Sequence, residues 1–118
     1  MSENVWVKQI SSKDLEARAG LGGRWRRFIS PDKANAGLIV AMGELQAGEE
    51  MGWHTHPEPE AFFVIEGHGE AQWREGNEEH TGEMNAGTAF FKIGGIPHNM
   101  INRGSVPLRG LGIKVGSV

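Results

Sequence analysis

The sequence predicts an all-β fold, and three features carry that expectation. Eighteen glycines and five prolines punctuate 118 residues, which leaves little room for helices beyond about ten residues. Runs rich in β-branched and aromatic residues recur at short spacing, each bounded by Gly, Pro, Asn or Asp. They do not alternate with long helices, so the natural closure is two packed antiparallel sheets in a sandwich or barrel.

Along the chain, Ser11-Ser12-Lys13-Asp14-Leu15-Glu16-Ala17-Arg18 opens on capping hydroxyls and stops before Gly20, the pattern of one short helical turn. Strands are expected over residues 25–29, 38–45, 61–65, 69–73, 88–93, 99–101 and 108–115. The polar stretch 74–80 reads as a solvated hairpin loop. In the strand Ala61-Phe62-Phe63-Val64-Ile65 both faces are apolar, so it should be central, with a second sheet on one side and a partner subunit on the other. A homodimer is the expected assembly. At 12.9 kDa the chain has the size of one domain: residues 1–118 form a single domain, with a core barrel of about 24–115 and an N-terminal arm of 1–23.

Composition narrows the function classes. Cysteine is absent, so thiolate metal sites, thiol nucleophiles and disulfides are out of reach and any metal must take nitrogen and oxygen ligands. A formal charge of -3 and a pI near 5.9 give no electrostatic reason to expect nucleic acid. The basic cluster Arg24-Trp25-Arg26-Arg27 reads as a solvated strand face. No apolar run approaches the roughly 18 residues of a membrane span, and the N-terminus lacks the pattern of a secretory signal. A cytoplasmic protein that meets neither membrane nor nucleic acid is expected.

One constellation carries chemistry. His54 and His56 are two apart, so on an extended strand both imidazoles point to one face. Glu60 lies four residues beyond His56 and can return to that face, although Pro57 and Pro59 bend the intervening chain. His98 follows the turn Gly94-Gly95-Ile96-Pro97, which delivers it to the start of another strand. Three imidazoles and a carboxylate suit one divalent ion (iron, manganese, nickel, zinc or copper) and leave one or two coordination positions open. His68 and His80, flanked by glycine or glutamate in expected turns, read as ordinary non-ligand histidines.

These residues resemble a known family. Gly48, five residues, His54-Thr55-His56, three residues, Glu60, six residues and Gly67 is similar to the first cupin motif. Gly87, five residues, Ile93-Gly94-Gly95, two residues, His98, three residues and Asn102 is similar to the second. Ile93 stands where that family usually has proline, a change that touches loop geometry and not a ligand. Two patterned motifs in order, separated by residues 68–86, are far more specific than either alone. Gly48, Gly67, Gly87 and Gly95 read as turn positions, and Asn102 as a brace for the second motif.

The resemblance implies a cupin-type jelly-roll β-barrel of two antiparallel sheets, a double-stranded β-helix, with His54, His56, Glu60 and His98 on one metal. The family includes dioxygenases, isomerases, lyases, decarboxylases and proteins that only bind a ligand, so fold alone does not assign a reaction. The leading expectation is a metal-dependent enzyme acting on a small polar or carboxylate-bearing molecule, with Glu60 as candidate acid–base and Trp53, Phe62 and Val64 lining the substrate pocket. A small-ligand-binding or sensing module is the alternative.

Overall fold

The structure is a computed structural model that describes residues 16–18, 21–29 and 37–116. Among the described residues nine strands follow one another: β1 (Glu16–Arg18), β2 (Leu21–Ile29), β3 (Leu38–Leu45), β4 (Glu60–Glu66), β5 (His68–Glu75), β6 (Glu78–Asn85), β7 (Ala89–Lys92), β8 (His98–Asn102) and β9 (Leu108–Val115). They form a six-stranded sheet in the order β1-β2-β3-β9-β4-β7 and a three-stranded sheet in the order β6-β5-β8. Every pairing is antiparallel. This is the all-β, two-sheet jelly roll that the sequence predicts.

Alternation decides what lies between the sheets. Phe62 and Val64 of β4 face inward and are buried with Trp25, Leu45, Met84, Met100 and Leu108, while Met51, Ala71 and Phe90 pack against that cluster. Glycines on the inner face make room for the largest rings: a Cβ on Gly110 would stand 2.3 Å from the Phe62 ring and one on Gly43 would stand 2.0 Å from the Trp25 ring. The four motif glycines Gly48, Gly67, Gly87 and Gly95 have φ of 78°, 95°, 87° and 83°, which is the backbone region where glycine escapes the Cβ clash.

One expectation fails and one strand goes unanticipated, each for a physical reason. The helical turn over 11–18 is overturned where it is described: Glu16–Arg18 is a strand whose Glu16 and Ala17 pair with Trp25 and Arg24, because an open sheet edge satisfies backbone groups better than one isolated turn does. Residues 11–15 lie outside the described residues. The solvated hairpin expected over 74–80 is present, with Gly76 at φ 62°, but its strands run in to Glu75 and Glu78, and β6, which pairs along the full length of β5, is absent from the expected strands. Only Met84 of β6 is buried, so the strand carries no apolar alternation by which to recognise it.

The basic cluster divides between two roles. Trp25 is core, while Arg24 from β2 and Arg109 from β9 bind the carboxylate of Glu44, with Arg109 Nε at 2.6 Å from Oε2. Glu44 is 2% exposed. Among the described residues no helix is long and apolar enough to cross a membrane.

Candidate metal centre

Backbone pairing explains how a histidine remote in sequence joins two that are near neighbours. Residues 48–54 run antiparallel beside β8, with Gly48 N–H donating to Asn102 O, Met51 N–H to Met100 O and Asn102 N–H to Glu49 O. His54 and His98 stand directly opposite each other and exchange both backbone hydrogen bonds, 3.0 and 2.9 Å. Their ring centroids are 4.2 Å apart, and those of His56 and His98 are 5.0 Å apart.

Each imidazole is oriented by its own main chain. His54 Nδ1 donates to Gly52 O at 2.8 Å, His56 Nδ1 to Glu58 O at 2.9 Å and His98 Nδ1 to Ile96 O at 2.8 Å. A carbonyl only accepts, so the ring proton sits on Nδ1 and the lone pair on Nε2 in all three. One ligand atom from each of the three lies within 4.8 Å of the other two, a spacing that one ion bound at about 2.1 Å closes with small ring rotations. His98 Nε2 is buried and has no hydrogen-bond partner. An orphaned buried acceptor costs about 1–3 kcal/mol, and a divalent cation is the partner that its lone pair suits.

Burial also favours the neutral form of two of these rings, His98 and His54. It pushes His98 down to about 4, with nearby Lys92 acting in the same direction against the opposing Ile96 hydrogen bond; His54 is likewise lowered, chiefly by burial. In the metal-free protein, unfolded His98 takes a proton below about pH 6.5 while the folded ring resists until about 4. The unfolded state therefore binds more protons in that window, and stability present above pH 6.5 is lost as pH falls, by about 2–3 kcal/mol at pH 4. Chemical denaturation in chelator between pH 7 and 4.5 should show this decline, and His98→Asn should flatten it. An unchanged slope in the variant would show that His98 is not the titrating group.

Glu60 sits beside the trio at the first residue of β4. Its Oε1 is 3.4 Å from His56 Nε2 and accepts from Lys92 Nζ at 2.7 Å, because Glu60 is opposite Lys92 on β7 and Lys114 on β9. Burial raises its pKa, but Lys92, Lys114 and His56 together outweigh that and hold it below its ordinary value. Gly112 makes room for this carboxylate, since a Cβ there would come 2.9 Å from Glu60 Oε2.

Of the expected pocket residues, Phe62 lines a cleft of about 520 Å³ that opens beside His98. Val64 is wholly buried in the core and has no surface to offer a ligand. Trp53 carries the Arg74 guanidinium 4.1 Å above its ring. His68 and His80 stand apart from the trio: His68 Nδ1 meets Asn85 Oδ1 at 2.6 Å, and His80 stacks on Trp73 with ring centroids 5.7 Å apart.

The structure adds two residues. Lys92 is one. Asn99, 2% exposed, is the other: its Oδ1 accepts from Gly52 N–H at 2.8 Å and its Nδ2 donates to Gln72 Oε1 at 2.9 Å, which fixes the segment whose Gly52 carbonyl orients His54. Strand parity could have placed Lys92 on the face of Phe90, yet nothing local in the sequence pairs it with Glu60.

A two-sheet jelly roll on which three histidines converge defines a β-barrel class with a cluster that could hold a metal ion. The chain belongs to the cupin family: the family model described as Cupin domain matches residues 41–114. No curated protein matches the sequence. Among solved structures, a Cupin 2 conserved barrel domain protein from Salinispora arenicola is similar, with 16% identity over 98% of this chain and 92% of that one and a TM-score of 0.75. Manganese-containing oxalate decarboxylase from Bacillus subtilis is similar at 20% identity and TM-score 0.78, over 98% of this chain but 31% of that one. A cupin domain from Bordetella pertussis shows 18% identity over 86% of this chain and all of that one, with a TM-score of 0.65. At these identities the likeness shows the fold.

Proposed function

We propose that this chain is a metal-dependent enzyme in which His54, His56, His98 and Glu60 hold one divalent ion and a small molecule binds through an oxygen at the open coordination position. The observation that supports it is the arrangement of the histidines: three Nδ1 protons committed to carbonyls, three Nε2 lone pairs free, and one of those buried without a partner. When bound, the ion would act as a Lewis acid on a substrate oxygen or, if iron, manganese or copper, exchange electrons.

The protein's own residues do the rest. The carbonyls of Gly52, Glu58 and Ile96 fix the tautomers that coordination needs. Lys92 keeps Glu60 ionised, so Glu60 enters as a ligand and proton acceptor and does not start as a proton donor. Phe62, Phe90 and Met100 line the cleft and limit water beside the reacting atoms.

One observation favours a ligand-binding module instead: the Glu60 carboxylate is already engaged by Lys92 and is to that extent less free to accept a proton. Turnover of candidate substrates by reconstituted protein separates the two readings, since a binding module would hold ligand without consuming it. The work of either would be done in the cytoplasm without nucleic acid or membrane as a partner.

A second copy of the chain is the proposed partner. The outer face of the large sheet exposes Phe63, Ile65, Phe91, Ile113 and Val115. The register sets Ala61 opposite both Phe91 and Ile113 and Phe63 opposite Ala89 and Leu111, so the patch runs unbroken across three strands. Contiguous apolar surface of this kind marks an interface, and a twofold axis lets one patch cover itself. Sedimentation of the wild type should give a dimer, and Phe63→Glu with Phe91→Glu should give a folded monomer. A monomeric wild type at about 100 µM would refute the assembly.

A further inference from the structure

We infer that the cleft beside the histidines takes an amphiphilic carboxylate, with its apolar body between the two sheets and its acidic headgroup on Lys92 at the edge of the trio. This deepens the metal-enzyme reading and rests on it for the headgroup's position, whereas the seat of the apolar body stands without an ion.

The cleft's shape and lining carry the first half. Its volume is about 520 Å³, room for roughly fifteen waters at their liquid volume, of which a two-carbon acid would displace only a few. Phe62, Trp73, Met84, Phe90, Ile96 and Met100 form its walls. A surface of this kind gains nothing from a small, wholly polar ligand, and each methylene buried against it strengthens binding about fourfold.

The polar groups carry the second half. Gln72, Asn99, Lys92 and His98 also line the cleft, but Asn99 and Gln72 are bonded to each other and Asn99 also to Gly52 and Glu50, so both serve the fold. Lys92, whose ammonium carries three donors of which Glu60 takes one, and His98 remain to meet a ligand. Around them stand the carboxylates of Glu60 and Glu58, the latter 3.5 Å from His56 Nδ1, and the ammonium groups of Lys92 and Lys114, which sit opposite Glu60 in the ladder. Of these four only Lys92 lines the cleft, so the charge presented to a ligand there is positive, and a dication would add to it. Glu75, the other charged residue of the lining, is 63% exposed at its side chain and its charge is screened by solvent. An anionic head is favoured there over a neutral one of the same size.

Calorimetric titration of the full chain, metal-stripped and zinc-loaded, with acetate, butyrate, hexanoate, oxalate and hexan-1-ol tests both halves. Hexanoate should bind more than about tenfold tighter than butyrate and tighter than hexan-1-ol. Lys92→Met should erase the acid's advantage over the alcohol without weakening the alcohol. Ala71→Leu, which narrows the cleft, should weaken hexanoate in a protein that circular dichroism shows to be folded. Oxalate binding tighter than hexanoate, affinity flat across chain length, or equal binding of alcohol and acid by the wild type would overturn the inference. Zinc that fails to bind while the chain-length dependence persists in stripped protein would overturn the metal reading and support the cleft's occupant.

Discussion

His56→Ala and His98→Ala each leave a folded protein that no longer retains a divalent ion, while His68→Ala and His80→Ala retain a full equivalent. All four changes delete the same imidazole, so the contrast reports position and not residue type. Loss of an outer partner of a metal ligand typically costs 10–100-fold in affinity, and loss of a ligand itself should exceed that. His98 has the more severe effect of the two, since it is 7% exposed and water cannot easily replace its donor atom. His68 is exposed and bonded to Asn85, and its removal should change stability by no more than about 0.5 kcal/mol. Metal content by elemental analysis after gel filtration, with circular dichroism to confirm folding, gives the comparison. Equal metal in all four variants would show that the site is misplaced.

Asn102→Ala destabilises the fold by about 3–5 kcal/mol. The side chain is 1% exposed and makes three hydrogen bonds to main chain: Nδ2 donates to Leu45 O at 2.9 Å and Val106 O at 2.8 Å, and Oδ1 accepts from Gly104 N–H at 2.8 Å. Alanine would leave these backbone groups without partners at the join between β3 and the end of β8. Against a total of roughly 5–15 kcal/mol, the melting temperature should fall by about 12–20 °C. Asn102→Asp should fare no better, because a carboxylate would face two carbonyl oxygens that need a donor. A variant with alanine that melts within about 3 °C of the wild type would show that the brace carries no weight.

The parts of this molecule legible in the sequence are those encoded locally. Alternation in Ala61–Ile65 gave β4 its inner and outer faces, and the turn before His98 marked the start of β8. The parts that were not legible depend on which strand lies beside which. β6 offers only Met84 to the core, so period-two patterning had nothing to register. Glu16–Arg18 carries a local helical cue that sheet pairing overrides. The site divides in the same way: the three histidines could be grouped from their spacing, whereas the ion pair of Lys92 with Glu60 exists because β4 and β7 are neighbours in register. Alternation puts Val64 on the inner face with Phe62, and only its complete burial separates core from pocket lining.

The most direct test of the histidine centre is a zinc titration of chelator-stripped, untagged protein followed by nitrogen-15 NMR of the imidazoles. Binding should saturate at one equivalent, with the Nε2 resonances of His54, His56 and His98 moving together while their Nδ1 protons stay in place, and with His68 and His80 unmoved. Saturation with those three Nε2 resonances unchanged, or with the shifts arising at His68 or His80, would contradict the account.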